Sequence, residues 1–315
     1  MLNEKIIGVV IPAYNEELLI GEVFDTMPDY VDKMVVVNDG SIDNTLNIIN
    51  NYIEKDIRIV LVNHEKNKGL GQSLIDGYIK SLELNIDVIA VMAGDAQMDP
   101  EDLYNVVNPI VDGEADYTKG TRLLMEDCAE LMPKYRFLGN SVLTLLTKFA
   151  TGYWHVIDPQ CGYTAISHKA LSKINIKLMT KGYGYNADIL NMLNLANFRV
   201  KDIPVKPVYG REKSKIKLYS YIPKVSKLLI TLYIKRMVHK YLIREFHPLI
   251  MFYFFSFVCI ILIGLPLLIR FFMLYFKYGV APTTTLTILT TSLMMGYFSF
   301  FFGMWLDMED NKRLK

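Results

Sequence analysis

Asp95 and Gln97 stand two positions apart in "VIAVMAGDAQMDPEDL", where an apolar run breaks into glycine, carboxylates and an amide. From a tight turn, side chains at that spacing can both face inward and offer oxygen ligands. Mg2+ and Mn2+ prefer such hard oxygens, and Mg2+ commonly takes one or two carboxylates while substrate phosphates complete its shell. Asp, Gly and Pro also favour turns for conformational reasons, so the stretch by itself admits both a plain turn and a cation site. Two further polar clusters follow apolar runs, "PAYNEE" at 12–17 and "NDGSID" at 38–43. Asp39 could meet the ribose or base of a nucleoside, and Glu16 could do the same from the first loop. Singly, each residue reads as a cap or turn; together at successive strand ends they favour a nucleotide–metal site.

Other chemistries are not written in the chain. No GxGxxG follows the first apolar run, and GxxxxGK[ST], HExxH and GxSxG do not occur. "NKGLGQS" at 67–73 reads as a structural turn, and the five histidines are scattered without a nucleophile beside them. Cys128, Cys161 and Cys259 lack metal-type spacing and read as free thiols.

The elements that must position these residues alternate regularly over the first 210 positions. "KIIGVVIP", "KMVVVND", "IRIVLVNH" and "DVIAVMA" read as strands, separated by helical patterns in "EELLIGEVFDTM", "IDNTLNIINNYI" (with Ser41 as N-cap) and "GQSLIDGYIKSLEL". Such alternation predicts an α/β domain with a mainly parallel sheet, and ligands of these sheets bind beyond the carboxyl ends of the strands. The polar clusters fall there. Past Gly120 the pattern loosens, with helices expected over "RFLGNSVLTLLTKFATG" and "NADILNMLNLA" and a strand over "FRVKDIPVKPVY".

Charge divides the chain. Residues 1–210 carry 19 Lys/Arg against 28 Asp/Glu, whereas residues 211–315 carry 15 against 5. The basic part lies beside two apolar runs free of Asp, Glu, Lys and Arg, Phe246–Ile269 and Tyr278–Leu306. About 20 such residues cross a hydrocarbon core as helix, so these runs predict a transmembrane hairpin and not a nucleic-acid surface. Lys213 to Arg244 before the first run and Lys312, Arg313 and Lys315 after the second outweigh Arg270 and Lys277 between them. That bias places the large domain and both termini in the cytoplasm. "MLNEKIIGVVIP" reads as a first strand, not a secretion signal. Residues 216–244 interleave Lys/Arg with Leu, Ile and Tyr, as an amphipathic helix in the interface does; a charged helix packed on the domain has the same pattern. The expected organisation is a catalytic domain over 1–210, a basic juxtamembrane segment over 211–245, two spans within 246–306 and a tail over 307–315.

"VVIPAYNEE", "VVVNDGSIDNT", "GDAQMDPEDL", "DPQCGYTAI" and "YGREKSKI", in that order, resemble family-2 glycosyltransferases of the polyprenyl-phosphate sugar synthase branch, which includes dolichyl-phosphate mannose synthase and its glucosyl relatives. The resemblance runs from residue 5 to about residue 220, and the membrane hairpin also matches members of that branch. It implies a GT-A fold and inverting transfer of a hexose from a nucleoside-diphosphate sugar to a polyprenyl or dolichyl phosphate. It further implies that Pro12, Tyr14, Glu16 and Asp39 hold the nucleoside, and that Asp95 and Gln97 ligate Mg2+ or Mn2+. Arg122, Arg136 and Asn140 would grip the acceptor phosphate, while Arg211, Ser214 and Lys215 would close over the donor diphosphate. Asp158 and Gln160 match the acceptor-side loop and could contact sugar hydroxyls. Asn186 and Asp188 fall where the family often carries a carboxylate, a helix N-cap being the competing role. The family commonly writes the metal turn as Asp-Ala-Asp-x-Gln; here Ala93 replaces its first acid. Weaker metal affinity or a substitute carboxylate is the consequence to expect.

A lipid phosphate is already anionic near neutral pH, so such chemistry needs no strong general base. It needs positioning of the phosphate, for which Arg is suited, and relief of charge at the departing diphosphate. Two other readings stand beside it. A chain-extending polysaccharide synthase would carry QxxRW before its spans, which this sequence lacks. A silent nucleotide-sugar-binding scaffold of a glycan assembly complex would tolerate Ala93. Tyr153 and Trp154 suit either a lipid interface or the core. Membrane hairpins often pack with copies of themselves, which leaves a homo-oligomer open.

Overall fold

The computed structural model describes residues 1–122, 134–182, 184–206, 218–280 and 282–315. It contains two compact units, Met1–Tyr233 with Leu314–Lys315, and Ile234–Arg313. The break between them falls inside a helix.

The first unit is built on a seven-stranded sheet in the order β3-β2-β1-β4-β6-β5-β7. β1 (Ile7–Ala13), β2 (Lys33–Asn38), β3 (Ile59–Asn63) and β4 (Val88–Val91) are mutually parallel, joined by α1 (Ile20–Asp25), α2 (Thr45–Ile53) and α3 (Leu70–Glu83). All seven residues of β1 are buried, as expected of a central strand covered by helices on both faces. Two apolar layers enclose the sheet, one containing Val9, Ile11, Ile20 and Phe24, the other Val10, Leu74, Tyr78 and Leu190. Each such side chain contributes roughly 1.5–3 kcal/mol by leaving water.

α4 (Leu103–Val111) leads to β5 (Tyr117–Thr121), and α5 (Lys134–Thr151) precedes β6 (Thr164–Ser167). β6 runs antiparallel to both β4 and β5, and β7 (Val200–Pro204) is parallel to β5. The sheet is therefore mainly parallel, with one reversed strand. β5 and β6, "YTKGT" and "TAIS", did not read as strands because they are short and half polar; their Thr118, Lys119, Thr121 and Thr164 are nevertheless buried. α6 (His168–Lys173) and α7 (Tyr185–Leu195) separate β6 from β7, and α8 (Leu218–Arg236) follows. Asn191 of α7 donates to the Ala150 and Leu232 carbonyls at 3.0 and 3.1 Å, tying α5, α7 and α8 together.

Ser41 does not cap α2. Its hydroxyl accepts the Asn15 N–H at 3.0 Å, the helix starts at Thr45, and the Asp43 carboxylate accepts the Thr45 N–H instead. Tyr153 is core, fully buried with its hydroxyl donating to the Phe198 carbonyl at 2.7 Å, whereas Trp154 is half-buried, edge-on to Phe149.

In the second unit a helix over Leu249–Tyr278 and another over Thr283–Leu314 are long and apolar enough to cross a membrane. The first continues past Ile269 through "RFFMLYFKY" and stops at Gly279, whose φ of +69° ends it in the left-handed conformation. The connection is thus shorter than the charge pattern suggested. A Cβ on Gly296 would lie 2.5 Å from Ile260 Cγ1, so glycine sets how closely the two helices approach. Arg236 and Asp307, neither exposed, form a two-pronged ion pair at 2.6 and 2.9 Å, and Tyr241 donates to the same carboxylate at 2.7 Å.

Candidate active site

β1 connects through α1 to β2 on one side, whereas β4 returns on its other side, so the strand order switches between β1 and β4. The crevice at such a switch point, beyond the carboxyl ends, is where open α/β sheets bind ligands. Gly94 N–H donates to the Pro12 carbonyl at 3.1 Å, the last bond before β1 and β4 part. From there the chain turns through Asp95, Ala96 at φ +53°, and Gln97, whose N–H donates to Asp95 Oδ1 at 3.2 Å. Asp95 and Gln97 are both half-buried and on one turn, just beyond the carboxyl end of β4. Ala93 donates its N–H to the Met98 sulfur at 3.4 Å, which steadies the turn without a carboxylate. Asp99 caps the short helix Pro100–Asp102 by accepting the Glu101 N–H at 2.9 Å, so it is spent on local structure.

Beside it, Pro12 is buried in β1, Tyr14 is 40% exposed, and Glu16 is half-buried with its N–H on the Thr45 hydroxyl. Asp39 is turned inward. Only 3% exposed, it accepts the Lys68 and Gly69 N–H groups, each at 2.9 Å, and His64 Nδ1 lies 2.8 Å from it. His64 Nε2 in turn lies 2.9 Å from Asp76. This Asp39–His64–Asp76 chain was invisible in the sequence, where 25 and 12 positions separate its members. It clamps the loop 64–69 against Gly40, where a Cβ would lie 2.5 Å from the Lys66 carbonyl carbon and where φ is +68°.

The second wall comes from β5 and the turn before β6. Arg122, just beyond β5, grips Asp158 with Nε at 2.8 Å and Nη2 at 3.2 Å. Asp158 is 5% exposed, and a buried carboxylate in a guanidinium fork is strongly oriented. Tyr163 OH donates to the Asp99 carbonyl at 3.0 Å, joining this turn to the one carrying Asp95. Behind it lies Lys119, fully buried, its ammonium pushed down to about 8 by burial. Asp202 on β7 accepts the Ile157 N–H at 2.6 Å, yet burial lifts its carboxyl to about 6. Among the described residues, Asp202 Oδ1 and Thr121 Oγ1 are buried side-chain oxygens without a hydrogen-bond partner. Asp188 is buried and accepts both the N–H and the hydroxyl of Thr180 at 2.8 Å, so it anchors a loop and does not cap α7.

Arg136 and Asn140 fall within α5, but their side chains lie outside the described residues, as do Arg211, Ser214 and Lys215 altogether. No group of three or more His, Cys, Asp or Glu gathers in metal-binding geometry among the described residues. Asp95 with Gln97 is thus a two-donor set. That suits a cation whose remaining ligands are diphosphate and water.

The family model "Glycosyl transferase family 2" matches residues 8–174, from β1 through the turn that ends α6. The chain belongs to glycosyl transferase family 2. Among curated relatives it is 31% identical over 221 residues to a UDP-N-acetylglucosamine–dolichyl-phosphate N-acetylglucosaminyltransferase of Methanococcus voltae, covering 66% of this chain and 88% of that one. It is 28% identical over 203 residues to a polyprenol monophosphomannose synthase of Mycolicibacterium smegmatis, covering 62% and 75%. A glucosyl-3-phosphoglycerate synthase of Mycobacterium tuberculosis, solved with Mn2+, UDP-glucose and phosphoglyceric acid, superposes with a TM-score of 0.54 at 19% identity over 74% of this chain and 80% of that one. At that identity the likeness establishes the GT-A fold alone. Within this family member, the turn of Asp95 and Gln97 follows the carboxyl end of β4 and Arg122, paired with Asp158, follows the carboxyl end of β5, so both lie at the same edge of the sheet.

Proposed function

We propose that this glycosyltransferase moves a hexose from a nucleoside-diphosphate sugar onto a polyprenyl or dolichyl phosphate at the cytoplasmic membrane face, with inversion at the anomeric carbon. The observation that carries the reading is a hard-oxygen turn and an arginine–carboxylate pair at the same edge of one sheet, in a chain that also contains two helices long and apolar enough to cross a membrane. The relatives named for dolichyl- and polyprenyl-phosphate transfer support the acceptor class.

Asp95 and Gln97 would hold Mg2+ or Mn2+, which would supply Lewis-acid neutralisation of charge on a departing diphosphate, worth several kcal/mol. Pro12, Tyr14 and Glu16 form the nucleoside end, and Asp39 serves it by fixing the loop 64–69. Arg122 orients the acceptor side and Asp158 holds the guanidinium plane still. Gln160, on the same turn, is assigned to the sugar hydroxyls from the sequence motif. Arg136 and Asn140 are assigned to the lipid phosphate, and Arg211, Ser214 and Lys215 to the donor diphosphate, from the sequence motifs. The phosphate oxygen attacks as an anion, so no residue need remove a proton; the protein orders reactants and excludes water.

Purified full-length protein in vesicles, given a panel of radiolabelled nucleotide sugars with dolichyl or undecaprenyl phosphate, tests this. UDP-N-acetylglucosamine is the first donor to try, followed by UDP-glucose and GDP-mannose. Label entering an organic-extractable product in a Mg2+- or Mn2+-dependent manner is the expected result. Sugar transfer to a water-soluble acceptor with none to lipid phosphate would overturn it.

A further inference from the structure

Lys119 is fully buried on β5, where its ammonium donates to the Cys161 carbonyl at 2.6 Å and to Asn186 Oδ1 at 2.7 Å. Asn186, 5% exposed at the start of α7, sends its own N–H group toward the Gln160 carbonyl at 3.4 Å. Two consecutive carbonyls of the turn before β6 are therefore held by one coupled pair of buried side chains. That turn carries Asp158 and Gln160, and the Cys161 N–H closes it onto the Asp158 carbonyl at 3.2 Å. It also abuts the Asp95 turn, since a Cβ on Gly162 would lie 3.2 Å from Met98 Cε.

Burying an ammonium is costly, and a core position that needed only bulk would take an apolar side chain. Here the desolvation is heavy enough to push the amine down to about 8. Lysine offers three N–H donors on a flexible stem, which lets one atom serve a strand-turn carbonyl and an amide on a separate helix. After burial, the groups acting on the amine are Cys161, then Asp158 and Asp202, which favour its charge, and Arg122, which opposes it; its hydrogen bonds go to neutral oxygens and not to a carboxylate.

We infer that Lys119 and Asn186 together are positioning residues for the acceptor: they hold the turn of Asp158 and Gln160 in the register that lets Arg122 and Gln160 meet lipid phosphate and sugar. The inference rests on the proposed transfer reaction for its kinetic arm alone. The hydrogen bonds of Lys119 run to Cys161 and Asn186 and not to the cation turn or the nucleoside loop, so loosening it acts first on the acceptor side.

The test uses the full-length protein with two variants, Lys119→Met, which keeps length and loses the donors, and the double variant Lys119→Met with Asn186→Leu, which removes both polar partners. Replacing both members of a buried hydrogen-bonded pair restores much of the stability lost by removing one. Amide exchange in the peptide 157–165 is expected to quicken about tenfold in both variants, with peptide 33–39 of β2 unchanged. The KM for polyprenyl phosphate is expected to rise about tenfold in both, while KM for the nucleotide sugar stays within about twofold. Should Lys119→Met fail to fold, the double variant is compared directly with the wild type. Unchanged exchange in 157–165 would overturn the inference. So would a double variant that regains both melting temperature and acceptor KM, since the pair would then act through stability alone. If the wild type transfers no sugar to any lipid phosphate, the proposed reaction fails and exchange still decides whether the pair holds the turn.

Discussion

The two halves of the sheet manage their polar groups differently. In the parallel half, β3-β2-β1-β4, Asp39 is buried but has the Lys68 and Gly69 N–H groups and His64 around it. In the half where strand direction reverses, β6-β5-β7, Lys119 is buried and Asp202 half-buried, both with their titration displaced, and the buried Thr121 Oγ1 and Asp202 Oδ1 have no partner among the described residues. A carboxylate saturated by backbone donors is a structural pin. Charges that are only partly compensated store electrostatic tension, which is a common state of functional walls. The first half thus resembles a rigid frame for a ligand, the second a field prepared for one.

The contrast breaks or sharpens on four substitutions. Asp95→Ala, at the junction of the halves, is expected to lower metal-dependent transfer by about a thousandfold, given several kcal/mol from the cation; radiolabel transfer titrated with Mg2+ and Mn2+ checks it, and full activity would remove Asp95 from the site. Asp39→Ala is expected to cost roughly 3–4 kcal/mol of stability, since it strands two N–H groups and His64. Denaturant unfolding measures that loss, and a melting curve identical to wild type would deny its role as a pin.

Asp202→Asn comes next, and its sign follows from linkage. A carboxyl raised to about 6 binds its proton more tightly folded than unfolded, so native stability falls as pH rises from about 4 to 6 and stays low above that. The amide escapes this loss. The variant is expected to be more stable than wild type at pH 7 by up to about 3 kcal/mol, the gap closing toward pH 4. Unfolding curves at pH 4, 5, 6 and 7 give the comparison, and parallel curves for the two proteins would show no tension at Asp202. Arg122→Lys keeps the charge but loses the fork on Asp158. It is expected to reduce kcat/KM for the acceptor about tenfold with little change in melting temperature, and equal loss for donor and acceptor would blur the division of labour.

The parallel half was legible from the chain. Its central strands β2, β1 and β4 are Val/Ile-rich runs buried on both faces, and the polar clusters follow them directly, so periodicity and order alone place them at one edge. The two helices long and apolar enough to cross a membrane were legible from length and composition. β5 and β6 were not. Their burial of Lys119, Thr118 and Thr164 is made tolerable by partners far along the chain, such as Cys161 and Asn186, and no local window contains those. Gly279, which ends the first long apolar helix ten residues beyond the apolar run, shows the converse limit: charge marked where lipid-like composition stops, while backbone conformation marks where the helix stops.

The sequence by itself determined the order of strands and helices from β1 to β4, the oxygen-bearing turn of Asp95 and Gln97, and the two helices long enough for a bilayer. These depend on neighbours within a few residues and on the free energy of burying apolar side chains. Only the tertiary structure decided that Arg122 closes on Asp158, that Asp39 is bound inward by His64, and that a buried lysine underlies the second wall. Those outcomes depend on which polar groups meet across 25 to 67 positions of chain. Hydrogen bonds and charges in a low-dielectric interior are decided by distance in space, which a linear pattern does not encode.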